Sequence, residues 1–180
     1  MNFELIETNR LLLKGISSDN MKSIFNNLSK SDIKKALGHR SEEDYITELN
    51  KHKNGYSSYN RSFILFLLIE KEYEIIIGRC GLHNWNVLHN RAEIGYVIND
   101  VDFKRKGFMT EAAQAIINFG FNTLKLNRIE ALVGSNNIPS LRIMEKFNFI
   151  KEGLLRQHIH VGDQYEDTIL FSKLLNEYRA

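Results

Sequence analysis

The chain has 180 residues, with 24 Lys and Arg against 22 Asp and Glu, for a formal charge of +2. That length suits one domain, expected to run over residues 1–180, with enough chain for a sizeable core. The near balance of charge argues against binding nucleic acid through bulk electrostatics. A single cysteine, Cys80, excludes an intrachain disulfide. Met1-Asn2-Phe3-Glu4 lacks a basic leader and an apolar core, and the longest apolar run, 63–69, is too short to span a bilayer. A soluble, cytoplasmic protein is the expectation.

Residues 10–15 read as a short apolar strand. Ser17 or Ser18 can cap a helix that carries Met21, Ile24, Phe25 and Leu28 at helical spacing, and a short helix is expected over 32–37. Ser41 followed by Glu42, Glu43 and Asp44 looks like an N-cap with an acidic first turn. The helix it starts should reach about Lys53 with a stripe of Tyr45, Ile46 and Leu49, and Asn54-Gly55 ends it. Residues 63–69 read as a buried strand, 70–72 as a turn, and 75–82 as the hairpin partner, where Gly78 and Gly81 suggest a bend or bulge. Residues 83–90 read as a polar loop holding the only tryptophan, Trp85, and 92–98 as a third strand.

A basic, glycine-containing turn, Lys104-Arg105-Lys106-Gly107, then leads into a helix, along which Ala113, Ile116, Ile117, Gly120, Phe121 and Leu124 recur at helical spacing. The first amides of a helix lack internal partners and sit at its positive end, which suits a phosphate. Gly107 would let the backbone approach closely; read alone, the stretch is equally a solvated basic turn. Residues 128–133 form a strand and 134–137 a loop. Pro139 then sits in the first turn of a short helix. Residues 149–160 and 165–174 pair around a turn at Gly162-Asp163. The sum is a mixed α/β (α+β) domain with a largely antiparallel sheet.

Glu93-Ile94-Gly95-Tyr96, Gly107-Phe108, Thr110-Glu111-Ala112, Asn137-x-x-Ser140 and Glu145-Lys146 with Phe149 follow one another in a specific order. In that order the chain resembles the GCN5-related N-acetyltransferase (GNAT) family, and most closely its branch that acetylates the N-termini of ribosomal proteins. The resemblance runs from Arg10 to the final strand. It implies a central twisted, mostly antiparallel sheet flanked by helices, splaying after strand 92–98, with acetyl-CoA in the gap and no metal. It also implies direct attack of an amine on the thioester in a ternary complex, with much of the acceleration coming from positioning.

On that resemblance, Lys104 opens a turn in which the amides of Arg105, Lys106, Gly107, Phe108, Met109 and Thr110 hold the pyrophosphate. Tyr96, Val97 and Ile98 would bind the pantetheine arm as an added strand, and a backbone N–H near Val97 would polarise the thioester carbonyl. Asn137 would bond the pantetheine, or only cap its helix. Lys146 would lie near the adenosine phosphate. Lys104 and Met109 depart from the Gln or Arg and the Gly or Ala often found there. Asn148 replaces a glycine, in a position where asparagine best tolerates a left-handed backbone.

Glu93 is the candidate general base, directly or through a water; its alternatives are a surface carboxylate or an anchor for the amine. Glu111 reads as a first-turn charge favourable to the helix dipole. Relatives place a tyrosine where this chain has Met144, which cannot donate a proton. Ser140, one turn earlier, is the nearest hydroxyl on that face and the candidate acid; otherwise it caps or touches the cofactor and solvent supplies the proton. His158 and His160 share a strand face as solvent-facing or cleft-lining groups; a metal pair would need a third ligand, and none stands at supporting spacing. Cys80 reads as a buried, inert thiol. Trp85, Tyr56 and Tyr59 would border the acceptor cleft, or merely pack.

The function expected is N-acetylation of a primary amine, either a protein N-terminus or a small amine such as a polyamine, an amino sugar or an antibiotic. The alternatives are a non-catalytic acyl-CoA sensor, for which Met144 speaks, and a nucleic-acid binder using 104–106, which the charge balance disfavours. A homodimer through the helices within 19–53 and the last hairpin is compatible with the sequence but not demanded by it.

Overall fold

The structure, a computed structural model, describes residues 2–55 and 61–179. Tyr56 and Tyr59 lie outside the described residues. In chain order the elements are β1 (Glu4–Glu7), β2 (Leu11–Ser17), α1 (Ser18–Asn27), α2 (Lys30–Leu37), α3 (Glu42–Asn54), β3 (Ser62–Glu70), β4 (Ile75–Asn86) and β5 (Arg91–Ile98). After a single 3-10 turn at Val101–Phe103 come α4 (Phe108–Asn122), β6 (Arg128–Gly134), α5 (Ile138–Lys146), β7 (Ile150–Val161), β8 (Gln164–Leu174) and α6 (Leu175–Arg179). The strands form one sheet in the order β1-β2-β3-β4-β5-β6-β8-β7. Every pairing is antiparallel except β5 with β6. This is the α+β architecture expected.

Strand alternation sets the two layers. Leu11 and Leu13 of β2, Phe66 and Leu68 of β3, and Ala92 and Ile94 of β5 bury against Ala112, Ala113, Ile116 and Ile117 of α4. Ile16 and Leu67 point the other way, into Met21 and Ile24 of α1 and Ile33 and Leu37 of α2. The caps are local and clear. Ser17 and Ser41 each accept from the third helical amide and complete capping boxes with Asn20 and Asp44.

Four expectations need correction. β1 and α6 were not foreseen. Residues 83–86 continue β4 instead of forming a loop, because a bulge between His83 and Asn86 keeps the strand paired to β5. On α3, Ile46 is 47% exposed whereas Glu48 is only 5% exposed. The stripe is turned toward a carboxylate that meets Arg79 of β4, with Arg79 Nη1 at 3.3 Å from Glu48 Oε2.

The feature that positions the site is a splay. β5 pairs with β6 only through Arg91 with Arg128, Ala92 with Ile129 and Glu93 with Glu130. Beyond Glu93 the two strands part, and β6 follows β8 as far as Gly134. The closed end is pinned by charge: Glu130 takes Arg91 at 3.0 Å and Arg128 at 2.7 Å, while Arg128 grips both oxygens of Glu152 on β7. Asn99 N–H donates to Ile77 C=O at 3.0 Å. Backbone groups alternate sides along a strand, so Gly95 and Val97 turn theirs toward β4. The N–H and C=O groups of Tyr96 and Ile98 therefore face the gap.

Candidate active site

Two features meet at the splay: a helix N-terminus on one side of the sheet and a cavity on the other. The turn into α4 has Arg105 at φ 61° and Gly107 at φ 82°, both left-handed. Gly107 is the N-cap of α4 and makes no side-chain capping bond. The leading amides of a 15-residue helix are thus left without a side-chain cap at its positive end. Lys104, Arg105 and Lys106 are exposed around them, while Phe108 is buried and Met109 and Thr110 are half-buried.

Arg10 braces this turn. Its guanidinium lies 4.1 Å from the centre of the Phe108 ring and donates to the Lys106 carbonyl at 2.9 Å. Glu111 accepts from the Arg10 backbone at 2.7 Å, from Arg10 Nε at 2.8 Å and from the Thr8 hydroxyl at 2.7 Å. Glu111 therefore ties the β1–β2 turn to α4, and its carboxyl is fully engaged in doing so. Burial alone would raise its pKa, but these bonds and the Arg10 charge hold it below the usual carboxylate range.

On the opposite face, a cavity of about 560 Å³ is floored by β3, β4 and β5 and walled by Met21, Glu48 and Lys51. Its floor includes Arg79, Gly81 and His83 of β4 and Gly95, Tyr96 and Val97 of β5. At Gly95 a Cβ would stand 2.8 Å from His83 Cε1, so a larger residue there would displace the imidazole. The imidazole lies across Gly95. His83 Nε2 is 3.3 Å from Glu93 Oε1, and Asn84 Nδ2 donates to Glu93 Oε2 at 2.9 Å. Burial pushes the Glu93 carboxyl up, but the bonds from His83 and Asn84 and the charges of His83 and His158 outweigh it, so the group sits below its ordinary value.

Across the splay, Ser140 of α5 is half-buried and faces the Tyr96 hydroxyl. That hydroxyl is buried and has no hydrogen bond of ordinary geometry among the described residues. Burial pushes the phenol up to about 12, against a smaller downward pull from Ser140. Met144 is wholly buried in the core. Asn137 Oδ1 accepts from Ser140 N–H at 3.2 Å, capping α5, which leaves its amide nitrogen to offer a ligand. Lys146 is exposed in the last turn of α5, and Asn148 has φ 53°, the left-handed backbone anticipated for it.

The remaining candidates lie apart from this constellation. Cys80 is fully buried and its thiol is pushed far up by desolvation. His158 and His160 stand exposed on β7, and among the described residues no group of three His, Cys, Asp or Glu could hold a metal. Among the same residues, no helix is long and apolar enough to cross a membrane. Sequence reasoning missed two groups. His83 was read as a loop residue, and Tyr96 as a backbone contact only. The signal for His83 was its place two residues before the tryptophan and ten before Glu93, which a hairpin register brings face to face.

The family model for the acetyltransferase (GNAT) domain matches residues 10–150. The chain belongs to the GNAT acetyltransferase family. It is 42% identical over 113 residues to the uncharacterized N-acetyltransferase p20 of Bacillus licheniformis, spanning 63% of each chain. To the uncharacterized N-acetyltransferase YoaA of Bacillus subtilis it is 30% identical, over 94% of this chain and 96% of that one. A GNAT-family acetyltransferase structure from Bacillus anthracis superposes with a TM-score of 0.68 at 30% identity, covering 97% of this chain and all 100% of that one. A spermidine N(1)-acetyltransferase of Escherichia coli is 30% identical over 57% of this chain and 55% of that one. The ribosomal-protein-S5-alanine acetyltransferase of Vibrio fischeri shares the fold, with a TM-score of 0.68 at 21% identity over 98% of this chain and 100% of that one. The GNAT fold is thus the frame of the site, and the chain is an N-acetyltransferase.

Proposed function

We propose that this N-acetyltransferase moves the acetyl group of acetyl-CoA to the amino terminus of a peptide or protein, the two substrates meeting at the splay from opposite faces of the sheet. The observation that carries this reading is the conjunction of a helix N-terminus without a side-chain cap and an open β5 edge on one side with a walled cavity on the other. Acetyl-CoA, when bound, supplies an activated acyl thioester.

The residues present fit that group. The amides of Arg105, Lys106, Gly107, Phe108, Met109 and Thr110, with the charges of Lys104 to Lys106, receive the pyrophosphate. The backbone of Tyr96 and Ile98, flanking Val97, receives the pantetheine arm as a strand would, and an N–H there polarises the carbonyl oxygen. Asn137 offers its amide nitrogen to the same arm, and Lys146 its charge to the adenosine phosphate. Glu93 acts on the amine side. Ser140 and Tyr96 act on the thiol side; a phenol held near 12 donates a hydrogen bond to the departing thiolate and keeps its proton.

Charge supports a peptide over a polyamine. Of the charged groups that line the cavity among the described residues, Lys51, Arg61 and Arg79 face a single carboxylate, Glu48. Arg79 and Lys51 share one of its oxygens, at 3.3 and 3.6 Å. A polycation entering there meets net repulsion. The test is a panel of acceptors at saturating acetyl-CoA, followed by release of free thiol. Peptides with free amino termini should turn over and their N-acetylated counterparts should not. Turnover with spermidine alone would overturn the choice of acceptor.

A further inference from the structure

We infer that His83, not Glu93, is the general base of this enzyme, with Glu93 as the positioning residue that orients it; this rests on the acetyltransferase reading above. Both oxygens of Glu93 are engaged, Oε1 with His83 Nε2 at 3.3 Å and Oε2 with Asn84 Nδ2 at 2.9 Å. The Glu93 side chain is 15% exposed and that of His83 is 45% exposed. A carboxylate so satisfied is a poor acceptor for a substrate proton. The imidazole is the better one, since it is half-exposed, lines the acceptor cavity and keeps one ring nitrogen without a partner among the described residues.

The geometry fixes which nitrogen does the work. Nε2 is the ring nitrogen beside the carboxylate, 3.3 Å from Oε1, so the charge of Glu93 favours a proton there and leaves the Nδ1 lone pair free. Nδ1 and Cε1 form the edge of the ring that overlies Gly95, and His83 lines the cavity where the acceptor enters. Nδ1 has no hydrogen-bond partner among the described residues. The arrangement is a base held by a carboxylate, the logic by which a buried acid fixes a histidine tautomer and stabilises its protonated form.

The local backbone is shaped for this. In a regular strand Asn84 would point to the face opposite His83. The β4 bulge lies between His83 and Asn86, and Asn84 has φ 48°, a left-handed conformation that asparagine tolerates. Both neighbours in sequence thereby reach the same carboxylate.

The step balances as follows. The substrate ammonium gives one proton to Nδ1. The freed nitrogen lone pair forms the C–N bond to the acyl carbon, and the C–S bond breaks. The second proton of that nitrogen accompanies the sulfur, which leaves as the thiol. The imidazolium returns its proton to solvent through the half-exposed side of the ring.

Two measurements test this on the full chain. The first needs no substrate. In ¹⁵N spectra of histidine-labelled protein, assigned against His83→Gln, His83 should be the Nε2–H tautomer in the parent and a mixture in Glu93→Gln. The second is steady-state turnover with an alanine-initiated tetrapeptide. His83→Gln should lose about a hundredfold in kcat or more, with acetyl-CoA affinity by calorimetry within about twofold and an unchanged melting temperature; Glu93→Gln should lose less. An Nδ1–H tautomer in the parent, or a His83→Gln kcat within about threefold of it while Glu93→Gln is inactive, overturns the assignment and returns the role to Glu93. A parent that binds no acetyl-CoA fails the acetyltransferase reading instead, and does so in a separate titration.

Discussion

Replacing Gly107 separates what its backbone does from what the anion site does. Its φ of 82° is left-handed, so any side chain costs about 1 kcal/mol in strain. A Cβ there meets only Arg10 Nη2, at 3.5 Å, which is ordinary contact. Gly107→Ala and Gly107→Glu should therefore melt alike, roughly 2–4 °C below the parent. They should differ in binding. A carboxylate about 6 Å from two phosphate charges is repelled by about 1.4 kcal/mol even at the dielectric of water, which is roughly tenfold in affinity. Calorimetric titration with acetyl-CoA should thus find Gly107→Ala close to the parent and Gly107→Glu at least about tenfold weaker, the gap narrowing at high salt. Equal affinity in the two variants would refute the assignment of the pyrophosphate to the N-terminus of α4.

Three other outcomes follow from the same geometry. Tyr96→Phe removes a buried hydroxyl that has no hydrogen bond of ordinary geometry among the described residues, so its melting temperature should hold or rise, while kcat should fall about tenfold as the thiolate loses a donor; a stability loss with normal turnover would contradict the role given to Tyr96. The Arg128 clamp holds Glu152 at about 2, and a depressed carboxyl adds stability above its ordinary range that is lost as pH falls through that value. With the Glu152 side chain 36% exposed, solvent screening reduces this to about 1 kcal/mol. Glu152→Gln should be less stable than the parent by that amount at neutral pH, and the two melting curves should converge toward pH 2. Charge reversal at Arg61 and Lys51 should raise spermidine turnover relative to peptide turnover, and an unchanged ratio would show that the cavity charge does not select the acceptor.

Much of the frame was legible because its causes are local. Ser17 and Ser41 announce helix starts through capping boxes, β3 and the start of β4 are short continuous apolar runs on either side of a polar turn, and the turn at Gly107 is marked by its glycine and three cations. What escaped depends on partners distant in sequence. Glu48 is buried because Arg79, on another element, meets it, and no periodicity in α3 reveals that. The loop assigned to 83–90 shrinks to a turn at 87–90, because a bulge preserves pairing over 83–86 where the polar sequence suggests release. Glu93 was found because it alternates with buried Ile94. His83 was not, since its meaning comes from the register that sets it opposite Glu93. Met144 made the site look short of a tyrosine, yet Tyr96 reaches the same region from β5, toward Ser140.

The measurement that bears most directly on the whole account is mass spectrometry of a free-amine peptide after incubation with the protein and acetyl-CoA, with free thiol followed in the same tube. The account predicts one acetyl group on the terminal amine for each thiol released. Acetyl-CoA that binds tightly yet is left unconsumed with every amine offered would contradict it, and would make this a GNAT-fold sensor of acyl-CoA.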